Sequence, residues 1–323
     1  MCTAILSLGS PNLFGRSLDI SKSFGESLLV LPRDFVLDFS NGETKKRHSA
    51  IIGVGIRAKG SALLFDGINE HGLAVSALNF PVFCSYYDEK PDKINLASFE
   101  FIPYVLSKCK SLRDFKALAP KINLTKKDFS KSHPKTPLHF IVGDKSGSVV
   151  YETTTAGAKI YDNPTGVLTN SPGFEFHLRT LPEIASLSPD APKNKFLEEY
   201  GALSYSNGMG AFGLAGDFSS NSRFKRACFL ARYCKVRDKS SSVNRFFDIF
   251  DNLKIPYGAV ADKNGLPMYT RYVSCMDLDN FSYYFKSCEC HRIFGVKPKL
   301  EDKNGKKIKS YSLAHDEDIK LLN

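Results

Sequence analysis

Met1-Cys2-Thr3-Ala4-Ile5-Leu6-Ser7 and Phe14-Gly15-Arg16-Ser17-Leu18-Asp19 flank Gly9-Ser10-Pro11-Asn12. Two short apolar runs, Thr3–Leu8 and Asn12–Leu18, around a Gly/Pro/Asn turn predict an opening β-hairpin. Cys2 stands behind a single residue. Small second residues permit removal of an initiator Met, so the mature chain can begin with a thiol and an α-amine on adjacent carbons. With an amine near pKa about 7.7–8.0 and a thiol near about 8.5, the amine can act as base for its own side chain. Taken alone, a Cys at position 2 is equally compatible with chance.

Outward from the hairpin, the strand pattern continues. Ser27–Leu31 stops at Pro32, and Ala50–Ile56 follows. Ser61–Phe65 and Leu73–Leu78 read as a hairpin around a polar connection, Asp66–Gly72. These connections are too short for crossover helices, so the pairing is antiparallel. From Ala97 the period becomes helical: Phe99, Ile102, Leu106 and Cys109, then Leu112, Phe115 and Leu118 after a Ser111 cap. Residues 120–136 read as a polar, Lys-rich connection. Leu138–Val142 and Ser148–Thr153 are strands around an Asp144–Gly147 turn, and Lys159–Tyr161 and Gly166–Thr169 add strand pieces leading to Asn170. Phe174–Ile184 reads as helical, followed by a Pro- and Ser-containing excursion from Ser186 to Lys195. Ser222 is expected to cap a helix through Phe224, Cys228 and Leu230. Val243, Phe246, Phe247 and Phe250 share one helical face. Tyr269–Asp277 and Phe281–Lys286 are the last strong strands, before a polar tail from about residue 298. No repeat or linker interrupts this order, which predicts one α+β domain over residues 1–323 with helices layered on antiparallel sheets.

The chain has 323 residues, 42% hydrophobic and 24% charged, with 25 Phe, 14 Tyr and no Trp, as expected of a globular protein with a large core. No apolar run approaches the roughly 20 residues of a membrane span. The N-terminus lacks the basic and apolar regions of a signal peptide, which predicts a cytoplasmic protein. Eight cysteines in such a chain are expected to stay reduced. Cys288-Glu289-Cys290-His291 has poor zinc spacing and no second Cys/His pair nearby, so no metal is expected. The net charge of +10 and pI of about 9.1 would suit a nucleic-acid binder. However, the local concentrations at Lys126–Lys135 and Lys297–Lys309 lack interleaved aromatics, and solvated surface that attracts anionic substrates is the simpler reading.

Several residues can carry chemistry. If residues near 2–8 pair with those near 12–18, Arg16 and Asp19 can both approach the terminus. Asp19 would then hold the α-amine and Arg16 would stabilise a thiolate. Asn79 and Asn170 each end a strand; such residues often only make turns, but an amide NH₂ is also a competent oxyanion donor. Gly213–Phe224 is a small-residue loop entering a helix, with Arg223 in the first turn, where a cation opposes the macrodipole. His71 reads as a turn residue and His139 as a packed strand histidine, and neither is needed as a base.

In this order the pieces resemble the choloylglycine hydrolase family, the bile salt hydrolases and penicillin V acylases among N-terminal-nucleophile (Ntn) hydrolases. The likeness runs from Met1-Cys2-Thr3-Ala4 to Phe281–Lys286, through Asn69-Glu70-His71-Gly72-Leu73, Leu78-Asn79-Phe80-Pro81, Gly166–Pro172 and Gly216–Phe224. The resemblance implies Cys2 as nucleophile and, through its freed amine, as base. It makes Arg16 and Asp19 the pair beside it, with Asp19 orienting the amine. Asn79 and Asn170 become substrate-binding and oxyanion residues, and Arg223 organises charge around the thiol. It also implies a four-layer αββα sandwich, a homotetramer, and no cofactor.

Asn79 leans towards conjugated bile salts, since penicillin V acylases often carry Tyr there. Ile20-Ser21-Lys22, where many relatives place an aromatic, and Phe140, where they often have Trp, depart from the pattern and bear on the steroid pocket. The expected reaction is hydrolysis of the amide between a bile acid and glycine or taurine. Penicillin V or another N-acyl compound is the alternative substrate. A basic nucleic-acid-binding protein with an inert Cys2 is the rival from another class.

Overall fold

The computed structural model describes residues 1–58, 60–194, 205–235 and 242–323. Two antiparallel sheets face each other. The smaller has seven strands. Along its main path lie Val167–Leu168, Cys2–Ser7, Leu13–Ile20, Pro267–Asp277, Ser282–Ser287 and Phe294–Val296, with Val260–Ala261 pairing Pro267–Asp277 at one side. The larger has nine, running Gly157–Asp162, Gly147–Thr154, Leu138–Asp144, Ala74–Asn79, Asp66–Asn69, Ile51–Ala58, Ser27–Leu31 and Lys309–Ser312, with Ser61–Leu64 also pairing Ile51–Ala58.

Strand alternation splits the larger sheet between two cores. Leu28, Val30 and Ile141 turn towards the smaller sheet and pack with Ile5, Phe14 and Val273. Leu29, Leu31, Phe140 and Val142 turn the other way, onto Phe101, Val105 and Phe115 of the helices Phe101–Lys108 and Leu112–Leu118. Helices Ser220–Tyr233 and Ser242–Asp251 cover the outer face of the smaller sheet. The result is the expected αββα layering. Gly15 makes the second interface possible: a Cβ there would lie 2.0 Å from the Ser274 carbonyl oxygen and 2.9 Å from Phe246 Cε1.

The opening hairpin forms as expected, with Cys2 opposite Leu18 and Ala4 opposite Arg16. Elsewhere the sequence reading needs correction. The Asp66–Gly72 connection is half strand: Asp66–Asn69 pairs with both Ile51–Ala58 and Ala74–Asn79, while Ser61–Leu64 folds back on Ile51–Ala58. The polar residues of that strand, Asp66 and Asn69, are buried and satisfied. Asp66 accepts from the Tyr272 and Tyr283 hydroxyls at 2.8 and 2.6 Å, and Asn69 Nδ2 donates to the carbonyls of Leu106 and Cys109. The Lys-rich 120–136 segment contains a strand, Ile122–Thr125, parallel to Ile94–Ala97. The polar tail contributes Lys309–Ser312 to the sheet edge, opposite Ser27–Leu31.

Ser111 caps its helix by accepting from Asp114 N, as expected. Ser219, not Ser222, is the N-cap of the later helix. Phe174–Ile184 divides into an α-helix, Phe174–Arg179, and a 3₁₀ turn, Leu181–Ile184. Of the Ser186–Lys195 excursion, Lys195 lies outside the described residues.

Candidate active site

Cys2, at the start of a strand second from the edge of its sheet, is reached from both sides. Its side chain, 3% exposed, points between the sheets. Arg16 is its diagonal neighbour on the paired strand, and such pairs lie within reach of long side chains. Arg16 Nη2 donates to Cys2 Sγ at 2.6 Å. The rest of the guanidinium is fixed: Nε donates to Ser17 O at 3.0 Å, and Nη1 to Ala77 O at 2.8 Å and Phe65 O at 3.3 Å, across the inter-sheet gap. Burial works against this cation, yet the charges of Cys2, Tyr272, Asp66 and Asp19 more than offset it and hold Arg16 above its ordinary pKa. Burial, helped at Cys109 by the charge of Asp114, pushes the thiols of Cys109 and Cys228 up to about 12, so these stay protonated.

On the helix side, Arg223 reaches the backbone of Cys2 rather than the thiol. Nη1 donates to Cys2 O and Thr3 Oγ1, both at 2.6 Å, and Nη2 to Asn170 Oδ1 at 2.7 Å. Arg223 is wholly buried, which lowers its pKa against the opposing pull of Asp19 and Cys2. Its helix is oriented by Asp217. The Asp217 carboxylate accepts from Ser219 N and Ser222 Oγ, and the side-chain hydrogen bonds of Ser219 and Ser222 bring its pKa down to about 2.

Asn170 links the parts. Its Oδ1 accepts from Cys2 N at 2.8 Å, and its Nδ2 donates to Asn79 O at 2.8 Å. Asn79 therefore offers its backbone to Asn170, while its own side-chain amide has no hydrogen-bond partner among the described residues and lines the cavity. Asp19 is held on the helix-facing side by Ser17 Oγ at 3.2 Å and Thr270 Oγ1 at 2.7 Å. It meets the terminus through its backbone: Met1 N donates to Asp19 O at 2.5 Å, and Asp19 N to Met1 O at 2.9 Å. The other five expected residues gather around Cys2, Asn79 through Asn170 and Asp19 through the Met1 backbone. Thr3, Ser17 and Thr270, which hold two of them, carry no signal in the sequence beyond their strand positions.

Above the thiol opens a cavity of about 520 Å³ with largely apolar walls, including Ile20, Phe24, Phe65, Phe99, Phe129 and Met268. Volume and lining suit a small-molecule site. Met1, Cys2 and Arg16 all line this cavity. Ile20, Ser21 and Lys22 line it as well, whereas Phe140 stacks on Phe101 at 3.9 Å in the outer core, so only the first departure touches the pocket. Phe129, a lone aromatic in the Lys-rich segment, was the available sign that this segment has an inner face. His71 is exposed in its turn and His139 is buried in its strand, and the thiol's hydrogen bond comes from Arg16 rather than from either histidine. Among the described residues, no cluster of three His, Cys, Asp or Glu could hold a metal, and no helix is long and apolar enough to cross a membrane.

The profile of linear amide C–N hydrolases, choloylglycine hydrolase family, matches residues 2–311. The bile salt hydrolase/transferase of Lactiplantibacillus plantarum is 38% identical over 324 residues, spanning 100% of both chains. A crystal structure of a variant conjugated bile acid hydrolase from Clostridium perfringens matches with a TM-score of 0.93 at 31% identity over 100% of both chains. Penicillin V acylase from Agrobacterium tumefaciens shares the fold, with a TM-score of 0.76 at 21% identity over 97% of this chain and 92% of its own.

Proposed function

The chain belongs to the choloylglycine hydrolase family of linear amide C–N hydrolases, and on that premise we propose that it is a conjugated bile salt hydrolase. Its substrate is the amide between a bile acid and glycine or taurine, and Cys2, freed of Met1, is its nucleophile. The observation that carries this reading is the Cys2 thiol, held by Arg16 at 2.6 Å, at the floor of an apolar cavity of about 520 Å³.

In this mechanism the terminal amine takes the thiol proton and the thiolate, facing Arg16, attacks the amide carbonyl. The oxyanion forms beside the unengaged amide of Asn79. Asn170, whose oxygen is committed to Cys2 N and Arg223, acts chiefly by fixing the attacking residue, with its second Nδ2 hydrogen as a further donor. The terminal ammonium then protonates the departing nitrogen as the C–N bond breaks, leaving a thioester on Cys2. Water, deprotonated by the amine, attacks the thioester, releasing the free bile acid and restoring the thiol. Asp19 contributes through its strand position and negative charge. No cofactor enters any step. The same reading has the enzyme working in the cytoplasm as a homo-oligomer, a tetramer by the family resemblance, whose mass light scattering would read.

The test is amine release by Met1-free protein from glycocholate and taurocholate, with penicillin V alongside. The expected result is release of glycine or taurine, at a kcat/KM above that for penicillin V. A preparation that releases neither amino acid contradicts the reading, and one that prefers penicillin V moves the substrate while keeping the mechanism.

A further inference from the structure

Two buried histidines outside the chemistry above, His139 and His177, converge on the loop that carries Asn170. Both are 0% exposed. His139 Nε2 lies 2.9 Å from the Thr169 carbonyl oxygen, and His177 Nε2 lies 2.8 Å from the Asn170 carbonyl oxygen. Two consecutive carbonyls thus each face an imidazole nitrogen, which must carry the hydrogen. Between them, Asn170 N donates to Ser220 Oγ at 2.8 Å. The peptide groups on either side of Asn170 are held by buried side chains.

The rings rest on informative partners. His139 stacks on Phe80 with centroids 4.4 Å apart and planes 4° from parallel, and Phe80 immediately follows Asn79. His177 stacks on Phe224 at 5.0 Å, and Phe224 immediately follows Arg223. Each histidine therefore ties the Asn170 loop to another segment bearing a site residue. His139 is itself anchored: its Nδ1 lies 3.0 Å from Glu152 Oε1, which also accepts from Phe174 N at 2.9 Å.

Such anchoring answers a specific need. Asn170 follows a strand of only two residues, Val167–Leu168, so no ladder fixes it. Yet its side chain must meet Cys2 N, Arg223 Nη2 and Asn79 O, all at 2.7–2.8 Å. We propose that His139 and His177 are positioning residues, a two-histidine clamp that registers Asn170 against Asn79 and Arg223. This inference rests on the reading of Cys2 and Asn170 as catalytic machinery.

His177→Phe keeps an aromatic ring on Phe224 but removes the donor. Because small misplacements at a reacting centre cost up to about 100-fold, kcat for glycocholate or taurocholate should fall about 10- to 100-fold. KM should stay within about threefold, because the cavity walls are untouched. His177→Gln, whose amide can replace the Nε2 hydrogen, should recover most of the loss. If His177→Phe does not fold, Phe224→Leu removes the ring beneath His177 and should give a smaller loss, also in kcat. An unchanged kcat in whichever variant folds, a loss confined to KM, or a loss that Gln does not relieve would overturn the clamp. Absence of wild-type turnover overturns the proposed activity instead. The clamp is then decided by a crystal structure of the folded variant: Asn170 Oδ1 should leave hydrogen-bond reach of Cys2 N, and an unmoved Asn170 contradicts it.

Discussion

Arg16 donates to the sulfur of Cys2 at 2.6 Å, with the two residues 1% and 3% exposed. The same guanidinium crosses between the sheets to the carbonyls of Phe65 and Ala77. Contact with the thiol and attachment to both sheets therefore depend on one side chain, and the charge beside the thiol is positioned by the fold itself.

Arg16→Gln should lower kcat by about 100-fold or more, the scale for losing one preorganised electrostatic group. Arg16→Lys keeps the charge but cannot reproduce the forked set of donors, so it should restore only part of the rate. Steady-state kinetics on glycocholate read both. Wild-type turnover in Arg16→Gln would remove Arg16 from the mechanism.

While Met1 remains, Cys2 N is an amide rather than an amine, and Met1 itself lines the cavity. Protein with Met1 retained should be inactive, and activity across preparations should track the fraction whose intact mass lacks Met1. Full activity in protein shown by mass to be uncleaved would contradict the amine's role.

Gly15→Ala places a methyl 2.0 Å from the Ser274 carbonyl oxygen, a backbone atom that cannot swing away. Overpacking of this kind costs about 1–3 kcal/mol, and the backbone clash puts Gly15→Ala at the upper end. Urea unfolding should show a lower midpoint with an unchanged slope.

Asp217 sits at the start of the helix that carries Arg223, and its pKa is lowered from 3.8 to about 2. A lowered pKa means the ionised form favours the folded state, so its contribution is present above pH about 4 and is lost as pH falls towards 2. Asp217→Asn should therefore melt below wild type at pH 7, and the gap should close between pH about 4 and 2. A gap that is constant across this range would contradict the assignment.

Much of this was legible in the sequence, for identifiable reasons. The opening hairpin, the strands around Asp144–Gly147 and the Ser111-capped helix follow from apolar period and turn chemistry. The strand Asp66–Asn69 was not legible, because inward Asp and Asn look like a loop until Tyr272 and Tyr283, some two hundred residues away, supply hydroxyl donors. Ile122–Thr125 and Lys309–Ser312 were hidden by the lysines around them. The six residues the sequence singles out do lie together around Cys2, but which group touches which needs coordinates. Arg16 meets the thiol as expected, whereas Arg223 holds the Cys2 carbonyl, and Asn170, not the Asp19 carboxylate, holds Cys2 N. His139 reads in the sequence as a packed strand residue, and only its contacts with Glu152 and the Thr169 carbonyl reveal what it grips.

The central claim is that Cys2 forms the thioester. The most direct measurement is peptide mass spectrometry of Met1-free enzyme mixed with glycocholate and quenched in acid within one turnover. The account predicts a cholyl group on the N-terminal peptide beginning at Cys2, formed as glycine is released and absent in Cys2→Ala. Glycine release at the wild-type rate from Cys2→Ala, or an acyl group on any other residue, would contradict it.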